Sequence, residues 1–81
     1  MLLAIDIGNT NVVYGVFDGP TLRSKFRIAT PVRITHDEAG LAIALFMERA
    51  GIDLAAIDTA VVASVVPSLT AVYERTVRKY F

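Results

Sequence analysis

The chain has 81 residues, a formal net charge of zero at pH 7 and a pI of about 6.5. That length holds one small domain, and the neutral balance argues against a nucleic-acid binder, which is ordinarily clearly basic. With no cysteine there is no disulfide framework, thiolate zinc site or cysteine nucleophile, and the composition fits a cytoplasmic protein.

Apolar residues make up 54% of the chain without counting glycine, above the roughly 45–50% that soluble domains reach with glycine included. Folding at this size buries only about 60–65% of the unfolded surface. The surplus apolar surface therefore calls for cover from further sequence or from a second copy. Met1-Leu2-Leu3-Ala4-Ile5-Asp6 has no basic leading region and meets an acid at once, unlike a signal peptide. No apolar run approaches the roughly 20 residues that span a bilayer, so no membrane partner is expected.

In chain order, Leu2 to Ile7 reads as a buried strand, Gly8-Asn9-Thr10-Asn11 as a turn, and Val12 to Phe17 as a second strand completing a hairpin. Asp18-Gly19-Pro20 is the next turn. Leu22 to Ala29 alternates, with Leu22, Ser24, Phe26 and Ile28 on one face and Arg23, Lys25 and Arg27 on the other, as in a half-exposed edge strand. Thr30-Pro31 closes it. Thr35 and Glu38 have capping-box spacing and open a helix. Leu41, Ala42, Leu45, Phe46 and Arg49 follow at helical spacing, and Gly51 is a C-cap. Asp58 to Val66 is apolar without alternation, which suits a strand covered on both faces. Pro67 ends it. Leu69, Val72, Tyr73, Thr76, Val77 and Tyr80 then mark an amphipathic helix, with Glu74 and Arg78 spaced for an outer-face ion pair. The order βββαβα, with the helix between strands three and four permitting a right-handed parallel crossover, predicts a mixed four-stranded sheet of order 3-2-1-4. The chain reads as α/β, with residues 1–81 forming a single partial domain.

The chemistry lies in Asp6-Ile7-Gly8-Asn9-Thr10-Asn11. Gly8 admits a tight turn and close approach of a ligand to the backbone. The amides after it can form a nest for phosphate oxygens, and Thr10 and Asn11 add side-chain donors. Asp6 alone would repel phosphate. It makes sense beside a hydrated Mg²⁺, which takes few protein carboxylates, and an acid ending a buried apolar strand is costly without such a partner. The same cluster is also ordinary hairpin-turn chemistry, and spacing alone does not separate the two readings.

Asp6 to Asn11 between two N-terminal strands resembles the first phosphate motif of the actin-like ATPases and sugar kinases, whose core is ribonuclease-H-like. Three further stretches resemble the type III pantothenate kinases: Phe26-Arg27-Ile28-Ala29-Thr30, Thr35-x-Asp37-Glu38, and Ala63-Ser64-Val65-Val66-Pro67 with Leu69-Thr70. The resemblance covers essentially the whole chain. It implies ATP-dependent phosphorylation of pantothenate in coenzyme A biosynthesis, by cytoplasmic homodimers that use Mg²⁺ and a monovalent cation, K⁺ or NH₄⁺. Carried over, Asp6, Ile7, Gly8, Asn9, Thr10, Asn11, Val12 and Val13 form the first ATP-phosphate loop, with Asp6 at the metal.

The family's catalytic aspartate, in a Gly-x-Asp-Arg motif, lies further along the chain, as do its second phosphate motif and cation site. No counterpart occurs in these residues. Asp18, Asp37, Asp53 and Asp58 are not assigned the role, so no catalytic residue is named and the isolated chain is expected not to turn over. The rival readings are a non-catalytic regulatory homologue, a truncated structural fragment, and a different ATPase of the same superfamily.

The remaining candidates have plainer explanations. His36 reads as a solvated first-turn residue, and Asp37 and Glu38 as dipole and cap residues. Arg23, Lys25 and Arg27 read as edge protection, with attraction of an anionic nucleotide as the alternative. Ser68 reads as a cap or turn residue, and Tyr14, Tyr73 and Tyr80 as packing. The stripe from Leu69 to Tyr80 reads as core, and as a self-association surface wherever its cover is missing.

Overall fold

The computed structural model describes residues 1–81. Strands β1 (Leu2–Ile7), β2 (Asn11–Asp18) and β3 (Thr21–Ala29) precede helix α1 (His36–Ala50). A 3₁₀ turn at Leu54–Ala56, strand β4 (Thr59–Ser64) and helix α2 (Pro67–Tyr80) follow. The sheet order is β3-β2-β1-β4. β1 runs antiparallel to β2 and parallel to β4, and β2 runs antiparallel to β3.

Alternation along the strands decides which face is buried. Leu3, Ile5 and Ile7 of β1 and Val12, Tyr14 and Val16 of β2 point to one side and are buried. Both helices cover that side. α2 contributes Leu69, Tyr73 and Thr76 at i, i+4, i+7, and α1 contributes Ala39, Ile43 and Met47. Each large aliphatic side chain buried here stabilises the fold by about 1.5–3 kcal/mol. Phe26 stacks on Phe46 with centroids 4.4 Å apart and on Tyr14 at 5.3 Å, closing the core toward β3. Buried Thr76 donates to the Val72 carbonyl at 2.8 Å, and no buried side-chain polar atom lacks a partner.

Several expectations need correction. α1 does not bury Leu41 and Leu45, which are 69% and 56% exposed. It turns Ala39, Gly40, Ile43 and Met47 inward. α2 crosses this face closely where it is small: a Cβ on Gly40 would stand 2.5 Å from the Tyr80 ring. Leu22 does not share a face with Ser24, Phe26 and Ile28. The β2–β3 register shifts between Val16 and Phe17, so that Leu22 pairs with Phe17 on the opposite face. β4 is not covered on both faces. It lies at the sheet edge with Val61 49% exposed, because both helices pack on one side. The α2 stripe is core, as read from the sequence, with Leu69, Tyr73 and Thr76 buried. The uncovered apolar surface lies instead on the other sheet face, at Leu22 and Val61, and outward on α1.

The ends of the helices follow local chemistry. Thr35 and Glu38 form the expected capping box. Gly51 sits at φ 71°, and with Ile52 donating to the Met47 carbonyl at 2.9 Å it closes α1 in a Schellman-type end. α2 begins at Pro67 with no side-chain cap. Ser68 does not cap it; Ser64 Oγ instead accepts from the Val66 amide at 3.1 Å. Exposed Glu74 and Arg78 do not close into an ion pair. No helix is long and apolar enough to cross a membrane.

Candidate phosphate-binding loop

β1 and β2 meet at the rim of the sheet through Gly8, Asn9 and Thr10. Ile7 pairs with Val12 at the base of this turn, and both side chains are buried, so only their backbone can face a ligand. Within the turn the Gly8 amide donates to the Asn11 carbonyl at 2.9 Å. The Asn9 and Thr10 amides donate to nothing in the chain, and both residues are exposed. Two adjacent free N–H groups on a tied loop are what an anionic oxygen needs.

At Gly8 it is space rather than backbone angle that is tight. Its φ is not positive, but a Cβ there would stand 3.1 Å from the Asn11 carbonyl oxygen. Asp6 lies on the sheet face away from the helices. It is exposed and makes no ion pair. The burial cost expected of an acid ending an apolar strand therefore does not bear on it. Val13, directly opposite Asp6, is half-buried on the same face.

The loop is held from a third strand. Thr30, just past β3, donates its hydroxyl to the Gly8 carbonyl at 2.7 Å and its amide to the Thr10 carbonyl at 2.9 Å. Sequence reasoning gave Thr30 only the role of closing β3. The signal was present, because order 3-2-1-4 places the end of β3 beside the start of β2. On the other side the Val65 amide donates to the Ile7 carbonyl at 3.0 Å, bringing the uncapped start of α2 next to the end of β1. A helix N-terminus adds positive potential at that rim.

The other aspartates are engaged elsewhere. Asp18 sits at the far hairpin, 3.6 Å from Arg23. Asp53 caps the 3₁₀ turn through the Ala55 amide, and Asp58, at the opposite end of the sheet, lies 3.7 Å from the N-terminal ammonium. Asp37 accepts from Lys79 at 2.9 Å and from the Tyr80 hydroxyl. His36 is half-buried, 3.5 Å from Asp37, rather than solvated. Tyr14 and Tyr73 are core, as expected, while Tyr80 is 40% exposed. No cluster of three or more metal-ligating side chains occurs. Two shallow depressions, of about 220 and 280 Å³, lie beside α2, and neither includes a residue of the loop. The loop is thus an open rim, exposed on one side.

Residues 2–81 match the family model described as type III pantothenate kinase. This chain belongs to the type III pantothenate kinase family. It is 46% identical over its whole length to a type III pantothenate kinase of Anaeromyxobacter sp. (strain Fw109-5), covering 32% of that protein. It is 44% identical to that of Myxococcus xanthus, covering 32%, and 40% identical to that of Agathobacter rectalis, covering 31%. The chain therefore spans about a third of the length of these curated relatives.

Proposed function

We propose that this chain is the N-terminal, phosphate-gripping part of an ATP:pantothenate phosphotransferase, the half-domain of an actin-like ATPase lobe. The observation that carries the reading is the pair of free amides at Asn9 and Thr10 on a loop tied at Gly8, Asn11 and Thr30. Asp6 to Val13 line the nucleotide phosphates. The exposed, unpaired Asp6 carboxylate fits a Mg²⁺ ion that keeps most of its waters and is shared with the phosphates. When bound, that ion neutralises charge on the phosphates. The monovalent cation, the pantothenate pocket and the base lie outside these residues, and no residue here is assigned to them. The complete enzyme is cytoplasmic and dimeric in this reading.

Phosphoryl transfer needs positioning and charge stabilisation from several sides at once, so the 81-residue chain alone yields no phosphopantothenate. The test is a titration of the ¹⁵N-labelled chain with Mg·ATP. Shifts confined to Gly8–Asn11, weakened in Asp6→Asn, support the phosphate loop. A folded chain that is silent at millimolar Mg·ATP supports the structural-fragment reading instead.

A further inference from the structure

The three cations of β3 are not equivalent. Asp6 pairs with Val13, and Val13 pairs with Arg27, so Asp6 and Arg27 share one cross-strand row on the face away from the helices. Lys25 lies in the next row with Gly15 and Ala4, about 7 Å further from the loop. Arg23 falls at the register shift and is 3.6 Å from Asp18. Edge protection would ask the same of all three residues. Instead the far cation is engaged, while Lys25 and Arg27 are exposed and without ion-pair partners, and of these two Arg27 is the nearer to the loop.

We propose that Arg27 is a second phosphate-contacting residue of this loop, gripping the nucleotide polyphosphate opposite the Asp6 metal position. This rests on the phosphate-loop reading above. Two strand spacings separate Asp6 from Arg27, about 9.5 Å. The two side chains form no ion pair with each other, and a metal-bridged polyphosphate fits between them. The placement is rigid. Arg27 stands three residues before Thr30, whose hydroxyl and amide fix the Gly8 and Thr10 carbonyls. Loop amides and guanidinium are therefore carried by one hydrogen-bonded unit. A guanidinium fork presents two parallel N–H groups to phosphate oxygens, which a lysine ammonium cannot.

The experiment is Mg·ATP titration of the ¹⁵N-labelled chain, comparing wild type with Arg27→Gln, Arg27→Lys, Arg23→Gln and Asp6→Asn, each checked for an intact amide spectrum. Arg27→Gln is expected to weaken Mg·ATP binding about tenfold, the scale of one charge-assisted hydrogen bond. Arg27→Lys recovers part of this loss, and Arg23→Gln stays within about twofold of wild type, as expected for a screened distant charge. If Arg27→Gln matches Arg23→Gln while Asp6→Asn still weakens binding, Arg27 is only an edge residue and the loop reading stands. A folded wild type that gives no response to Mg·ATP overturns both.

Discussion

The hydroxyl of Thr30 donates to the carbonyl of Gly8 at 2.7 Å, across a sequence separation of 22. This bond ties the end of β3 to the β1–β2 turn and makes the loop a three-strand construction. Thr30→Val keeps the shape and removes the donor. A loss of about 1 kcal/mol is expected, read from the urea midpoint, with amide exchange at Gly8 and Asn11 speeding up by more than at the core amides of Leu3 and Val16. Thr30→Ser restores the slow exchange. Equal exchange in all three proteins would show that the hydroxyl does not hold the loop.

The Tyr14 and Tyr73 hydroxyls meet at 2.7 Å in the core. Burial, then the hydrogen bond with Tyr73, pushes the Tyr14 pKa up, and burial likewise raises that of Tyr73. Removing one hydroxyl strands the other, at about 1–3 kcal/mol. The double Phe variant is expected to cost less than the sum of the two singles in a denaturation cycle. Because both folded pKa values are raised, the contribution is complete below about pH 10, the free phenol value, and declines above it. Additive single losses would mean that the two hydroxyls do not depend on each other.

Gly40 lies under the Tyr80 ring, with an added Cβ only 2.5 Å from Tyr80 Cδ2. Alanine would ordinarily gain up to about 1 kcal/mol inside a helix. Here Gly40→Ala is expected to destabilise, because the ring must leave and the Tyr80 bond to Asp37 goes with it. In a Tyr80→Ala background the same change is expected to stabilise. Thermal midpoints of the four proteins decide the point, and a sign that does not reverse refutes the close crossing.

Asp37 is held down to about 2 by the Tyr80 hydroxyl first and the Lys79 ammonium second. Its folded pKa lies below the free carboxylate value of about 3.9. Its contribution is therefore present above about pH 4 and is lost as pH falls toward 2. Asp37→Asn is expected to flatten the fall in stability across that window and to leave the neutral-pH spectrum of the loop unchanged. Acid titrations of the two proteins that run parallel between pH 4 and 2 would contradict this.

Local patterns carried much of the fold into the sequence. Thr35 with Glu38 announced a capping box, Gly51 a helix end, and the apolar run from Leu2 to Ile7 a buried strand, because each depends on neighbours within a few residues. The turn between β1 and β2 was legible for the same reason. What was misread involved a choice between two local solutions. α1 offers Leu41 and Leu45 on one stripe and Ala39, Ile43 and Met47 on another, and only the nearness of α2 selects the second. Leu22 follows strict alternation until the shifted register moves it to the other face.

The sequence by itself determined the elements, their order, the sheet order 3-2-1-4 and the place of the β1–β2 turn, since period, caps and turn chemistry are short-range properties. Only the tertiary structure decided that Asp6 faces outward, that Thr30 fixes the loop from 22 residues away, and that both helices leave one sheet face open. Those are outcomes of packing and cross-strand register, which set contacts between residues that no local pattern relates.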